Sequence, residues 1–251
     1  MKCWLLLLLL ATCCAGADQP DRRSGYSLLG PDLRALQDDD FANPGMLWVD
    51  RGERLWNAAS GPNQQSCRDC HGDPVNLRDL ANRLPRFDAT TNRLDNLDML
   101  IRQCRTQRQQ AEALTHESED LLALTTLVAH QSRGLPLEVV VDGPASTAFE
   151  QGRASFERRR GQLDLSCADC HEKLRGARLR GETISAGMVN GFPLYRLTWE
   201  GLGSRQRMIR WCNEAVRAKP MDPESQRALA LELYLAWRSR GLALEAPAVR
   251  R

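Results

Sequence analysis

Cys67-Arg68-Asp69-Cys70-His71 and Cys167-Ala168-Asp169-Cys170-His171 place one pattern at two positions of a 251-residue chain. C-x-x-C-H is the attachment signature for c-type haem. Two thiols add across the vinyl groups of one porphyrin, and the adjacent imidazole is held under the iron as an axial ligand. A structural zinc site made of two C-x-x-C knuckles is the rival. The gap between the pairs is far longer than the loops that zinc ribbons close, and each pair is followed by histidine. The motifs therefore read as two covalent haems c, attached at Cys67 and Cys70 and at Cys167 and Cys170, with His71 and His171 on the irons.

The sixth position on each iron has three kinds of candidate. The methionines are Met46, Met99, Met188, Met208 and Met221, of which Met99 and Met208 have helical core spacing. The two other histidines, His116 and His130, both precede the second motif. Cys104 and Cys212 instead stand at equivalent places, one downstream of each motif. A thiolate there donates electron density to iron and gives a low potential. A Cys104–Cys212 disulfide bridging the two halves fits the spacing equally well. Arg205, Arg207, Arg210 and Arg217 flank Cys212, and cationic neighbours lower a thiol's pKa. Clustered guanidiniums also suit a small oxyanion, whereas a solvated basic face is the bland alternative.

Elements must carry these residues. Lys2, the apolar run Cys3 to Ala11 and Ala15-Gly16-Ala17 read as a signal peptide, 1–17, cleaved after Ala17, for export to the periplasm. Cys13, in a weak lipoprotein box, is the alternative cleavage point. Six cysteines follow this leader, so export and an even count are also compatible with a disulfide framework. Lys plus Arg (34) nearly balance Asp plus Glu (32), which gives no basic excess for nucleic acid. Aromatic residues are 6 % of the chain, thin for a large side-chain core, and buried porphyrin supplies apolar volume. Beyond the leader no segment is long and apolar enough to span a bilayer.

Cys67 and Cys167 are matched by Gly52 and Gly152 at the same separation, so the chain reads as two copies of one unit. The expected organisation is an N-terminal extension, 18–45, without clear period, then domain 1, 46–138, and domain 2, 139–251. Gly134, Pro136 and Gly143-Pro144 mark the boundary. The fold class is all-α: two tandem cytochrome c-like domains related by duplication, with long loops packed on haem. Helices are expected before Cys104, over Leu121 to Val128, from a Ser204 cap through Cys212 to Val216, and from an Asp222 cap with Pro223 at the first helical position. Val139-Val140-Val141 is the one strand candidate.

Beyond the haem motifs, the chain resembles the SoxA family from about Gly52 onward. The matching stretches include Gly61-Pro62-Asn63, Gln131-Ser132-Arg133-Gly134, Gly161-Gln162-Leu163 and Gly191 to Trp199. Gly201-Leu202-Gly203-Ser204, Val216-Arg217-Ala218, Glu232 to Arg238 and Glu245 to Arg251 complete it. The resemblance implies a thiosulfate-oxidising L-cysteine S-thiosulfotransferase that pairs with the monohaem cytochrome SoxX and joins thiosulfate to a cysteine of the carrier SoxY. It implies Cys104 as distal ligand of haem 1 and Cys212 as distal ligand of haem 2, the latter also the catalytic cysteine, modified to a persulfide. The family's substrate-contacting arginine falls at Met208 here, which leaves Arg207 and Arg210 as substrate-binding candidates. A dihaem electron carrier without transferase activity and a dihaem peroxidase are the rivals.

Overall fold

The structure, a computed structural model, describes residues 22–179 and 181–251. The leader, its cleavage site at Ala17 and Cys13 lie outside the described residues. Helices dominate: α1 (Pro31–Asp38), α2 (Met46–Asn57), α3 (Cys67–His71), α4 (Leu97–Gln107), α5 (Glu119–Gln131), α6 (Ser146–Glu157), α7 (Arg205–Ala215) and α8 (Gln226–Arg238). Three small sheets accompany them. The antiparallel pairs are β1 (Arg86–Asp88) with β2 (Arg93–Asp95), and β3 (Arg178–Leu179) with β4 (Glu182–Thr183). In the third, β5 (Leu194–Arg196) lies between antiparallel β6 (Gly201–Gly203) and parallel β7 (Ala248–Arg250). No described helix is long and apolar enough to cross a membrane.

The two halves repeat their elements. In each, a glycine lets one helix cross another at backbone contact. A Cβ on Gly52 of α2 would lie 2.5 Å from the Ala123 carbonyl of α5, and one on Gly152 of α6 would lie 2.0 Å from the Ala230 carbonyl of α8. Each crossing helix runs into a tight loop closed by a single bridge, Ser60 to Gln65 and Arg160 to Leu165. Gly61 and Gly161 adopt φ of +67° and +72° in these loops. Side chains there would strike the carbonyls of Gln109 and Val216, just beyond α4 and α7. The loops therefore press the haem-attachment segments against the helices that carry Cys104 and Cys212.

Two apolar cores result, and each takes residues from the other half. Trp56, Leu84, Leu124, Leu127 and Leu137 build the first, together with Leu244 and Ala246. Phe156, Leu229, Leu233 and Tyr234 build the second, together with Leu94.

Several expectations need correction. Val139, Val140 and Val141 form no strand; Val139 is buried, Val140 is exposed, and the chain there leaves the first unit as an extended connector. The last helix starts later than expected. Ser225, not Asp222, caps it by accepting from Ala228 N, and Asp222 makes a preceding turn whose carbonyl accepts from the Ser225 hydroxyl. Residues 25–28 form a 3-10 turn, followed by α1. This segment lies on the chain's own C-terminus: Val249 N donates to Gln37 Oε1 (3.0 Å) and Asn43 Nδ2 to the Pro247 carbonyl (3.0 Å).

Candidate haem and active-cysteine sites

The serine before each motif is an N-cap, and the aspartate inside each motif completes it. Asp69 N donates to Ser66 Oγ (3.2 Å) while Ser66 N donates back to Asp69 Oδ2 (2.7 Å). Ser166 and Asp169 repeat the exchange at 3.0 Å in both directions. Such a reciprocal box satisfies donors that a helix start leaves free. Lys173 and Ser166, with Arg159 beyond them, hold Asp169 well below the usual carboxylate range. The caps fix where each Cys-x-x-Cys turn begins; the second continues into a π-helical turn, Asp169–Lys173.

In the first unit, His71 Nε2 and Cys104 Sγ face each other 4.0 Å apart. They border a cavity of about 430 Å³ lined also by Cys70, Leu100, Gln103, Gln107 and Arg108. An imidazole nitrogen and a thiolate sulfur are both ligand types that haem iron takes, and at this separation the two would hold one iron between them. Trp56 packs on the imidazole with ring centres 5.7 Å apart and donates Nε1 to the Gly72 carbonyl (2.9 Å), which fixes the turn after His71.

In the second unit, His171 Nδ1 donates to the Ser185 carbonyl (2.9 Å). That bond sets the tautomer and leaves Nε2 free for a metal. Gly187, at φ +72°, is required here, because a Cβ would approach His171 Cγ to 2.9 Å. Cys212 sits on α7, whose Ser204 cap accepts from Arg207 N. Burial pushes its thiol up to about 12, and the thiols of Cys167 and Cys170 push the same way.

That last value overturns one expectation. Flanking arginines are not what acts on the Cys212 thiol, and burial outweighs the one guanidinium that lowers it. Arg205 is buried against Glu232 (3.5 Å) and donates to the Leu84 carbonyl. Arg210 pairs with Glu214 at the surface (2.9 Å). Arg217 reaches Gln162, and Arg207 donates to the Leu202 carbonyl (2.8 Å). The guanidinium that acts on Cys212 is that of Arg196, from β5. Its distance along the chain hid it from a reading of α7 alone.

Cys104 and Cys212 are unpaired in the structure, as are the four motif cysteines. His116 lies beside Glu117 (Nε2 to Oε1, 3.8 Å) and, with Asp98, brings ligand atoms within 4.8 Å of one another. His130 meets the Ala246 backbone. Met46 packs on the first core, Met99, Met208 and Met221 pack on the second, and Met188 Sδ accepts from Ser239 Oγ. The only imidazole–sulfur facing pair among the described residues is thus His71 with Cys104.

Two capped Cys-x-x-Cys-His turns, each pressed against a helix bearing one further cysteine, define a c-type cytochrome. Residues 51–137 and 151–244 match the family described as "SoxA/TsdA, cytochrome c domain". The chain belongs to this family, and its named relatives are SoxA subunits. It is 36 % identical to the L-cysteine S-thiosulfotransferase subunit SoxA of Pseudaminobacter salicylatoxidans, over 91 % of this chain and 80 % of that one. The Paracoccus pantotrophus subunit of the same name is 38 % identical, over 90 % of this chain and 78 % of its own. The crystal structure of SoxXA from P. pantotrophus superposes with a TM-score of 0.88 at 38 % identity, covering 91 % of this chain and 86 % of that one.

Proposed function

We propose that this chain is a haem-dependent L-cysteine S-thiosulfotransferase, which oxidatively joins thiosulfate to a cysteine of a SoxY-type carrier. The reading assigns two haems c to two tandem cytochrome c-like units, 46–138 and 139–251, related by duplication. Cys67 and Cys70 would carry haem 1, with His71 and Cys104 holding its iron; Cys167 and Cys170 would carry haem 2, with His171 and Cys212 holding its iron. Supporting the first set is the facing of His71 and Cys104 across a cavity; supporting the second are the oriented His171 ring and a Cys212 thiol that interacts with those of Cys167 and Cys170. The protein acts in the periplasm beside a SoxX-type monohaem partner, a pairing supported by the likeness to the SoxXA crystal structure.

Haem, when bound, supplies an electron acceptor at Cys212. The rest is the work of the chain's own residues. Desolvation disfavours an ionised Cys212 in the protein alone, and a metal ion bound to the sulfur would favour the thiolate. Ser185 and Gly187 hold the His171 ring in one orientation. Of the two arginines on α7 that are candidates for the anion, Arg207 has no carboxylate partner among the described residues and keeps its charge available, whereas Arg210 is paired with Glu214 at the surface. Cys212, as its persulfide, bonds to the outer sulfur of thiosulfate, and thiol exchange then passes the group to the carrier cysteine. In sum one S–S bond forms between two thiolate sulfurs, and two electrons leave.

The observation that carries the assignment is Cys212 itself: an unpaired, partly buried thiol that interacts with Cys167, Cys170 and Arg196. Cys212→Ala is expected to keep two porphyrin additions by intact mass, because Cys167 and Cys170 form the covalent links. It should abolish thiosulfate addition to the carrier, whereas Cys104→Ala should alter the spectrum of haem 1 and leave substantial turnover. Retained turnover in Cys212→Ala would sink the assignment and favour a plain electron carrier.

A further inference from the structure

Beside Cys212, four side chains from three elements stack alternately. Arg207 Cζ lies 4.3 Å from the Trp199 ring centre, Arg196 Cζ lies 5.5 Å from the same ring, and Arg196 Cζ lies 5.0 Å from Trp211. The order is Arg207, Trp199, Arg196, Trp211, and the last is the chain neighbour of Cys212. A cation over an aromatic face is attracted by the ring quadrupole, and the flat guanidinium also stacks. Backbone geometry makes room for the stack: a Cβ on Gly203 would meet the Trp199 ring at 2.4 Å and Arg207 Cδ at 2.9 Å.

Arg196 is the inner rung and is 8 % exposed. Its Nε donates to Thr198 Oγ1 (3.1 Å), and its Nη2 meets both Glu182 oxygens (3.1 and 3.2 Å). Among the described residues Nη1 has no hydrogen-bond partner. Among the described residues Glu182 is the one carboxylate paired to the stack's two guanidiniums, which leaves an excess of positive charge. Trp211 remains 37 % exposed, so the end of the stack next to Cys212 in sequence reaches the surface, and Arg196 within the stack acts electrostatically on the thiol. Arg205 and Arg210, nearer to Cys212 in sequence, are each tied to a glutamate.

We propose that the Arg207–Trp199–Arg196–Trp211 stack is the anion-binding collar of the Cys212 site, with Arg196 Nη1 as the inner donor to a small sulfur oxyanion. The proposal rests on the function assigned above and deepens it: the position where α7 carries Met208 is served from a strand instead. Trp199 holds two guanidiniums at fixed spacing, which favours a compact anion with several acceptor oxygens over a monoanion with one. Gly203 and Trp199 are positioning residues; Arg196 and Arg207 contact the anion.

The test uses the complete protein, haems attached and in complex with its monohaem partner. Equilibrium dialysis of radiolabelled thiosulfate without carrier protein measures binding apart from turnover. Arg196→Gln is expected to weaken binding about tenfold or more, as loss of a charge-assisted hydrogen bond does. Arg196→Lys should recover part of it, and Gly203→Ala, which moves Trp199 and Arg207 without removing charge, should weaken it several-fold. Haem absorbance and Tm identify any variant that has merely unfolded; an unfolded Arg196→Gln leaves the Lys and Gly203 variants to decide. Unchanged binding in folded Arg196→Gln, or in both folded Arg196→Lys and folded Gly203→Ala, overturns the collar. Wild-type protein that transfers thiosulfate while Arg196 and Gly203 variants bind normally refutes the collar alone. Wild-type protein that neither binds nor transfers thiosulfate refutes the functional reading and the collar together.

Discussion

Single side chains at the join between the halves carry a titration as well as a fold. Asp98, on the helix of Cys104, is buried and accepts from Thr125 Oγ1 (2.7 Å). Burial pushes its carboxyl up to about 7, Glu117 and Glu232 push the same way, and Thr125 and Arg205 oppose them. The folded protein therefore prefers Asp98 protonated, while the unfolded chain ionises it near about 3.9. Stability from this group is whole below about pH 4, falls as pH rises toward 7, and stays reduced above. Asp98→Asn, which keeps an acceptor for Thr125, is expected to stabilise the haem-loaded protein by about 1–4 kcal/mol at about pH 8 and hardly at all at about pH 4. Guanidinium unfolding at both pH values checks this; an equal gain at each would show that Asp98 is not the titrating group. Neither this carboxyl nor Arg196 was legible in the sequence, because both depend on burial and on partners far along the chain. The motif residues were legible, since haem chemistry ties cysteines and histidine to adjacent positions.

At the scale of elements, the paired glycines were visible as a repeat before their purpose was. Gly52 and Gly152 mark where α2 crosses α5 and where α6 crosses α8, at contacts no side chain fits. Gly152→Ala is expected to cost about 2–3 kcal/mol, because overpacking at a backbone contact forces the helices apart. Gly52→Ala should cost somewhat less, its nearest contact being longer. Denaturant midpoints decide, and a Gly152→Ala within about 0.5 kcal/mol of wild type would mean the helices separate freely. Helix starts at Asn96, Ser118 and Ser204 follow from side chains that accept from the third helical N–H. Asp222-Pro223 carried the same local signal and lost to Ser225, one turn nearer the apolar face of α8. The valine run failed for a different reason: strand propensity needs a neighbouring edge, and the described structure pairs β5 with β7 instead.

The halves are not independent modules laid end to end. The tail of the second closes the first: Leu244 N donates to the Leu135 carbonyl (2.8 Å), Gly134 N to the Leu244 carbonyl (2.9 Å), and Leu137 N to the Leu242 carbonyl (3.0 Å). Leu244 and Ala246 then enter the core built on Trp56 and Leu127, while Leu94 of the first half enters the core around Phe156. A duplication read from spacing gives two units with a boundary near Gly134 to Pro144; it does not reveal this exchange, which depends on where the tail folds back. The exchange makes a prediction opposite to that of separable domains. Leu244→Ala, in residues of the second unit, is expected to cost about 2–4 kcal/mol by leaving a cavity. Its effect should appear as faster hydrogen exchange in α2 and α5, with α8 protected as before. Faster exchange confined to α8 would mean that the tail belongs to its own half and that each unit closes its core alone.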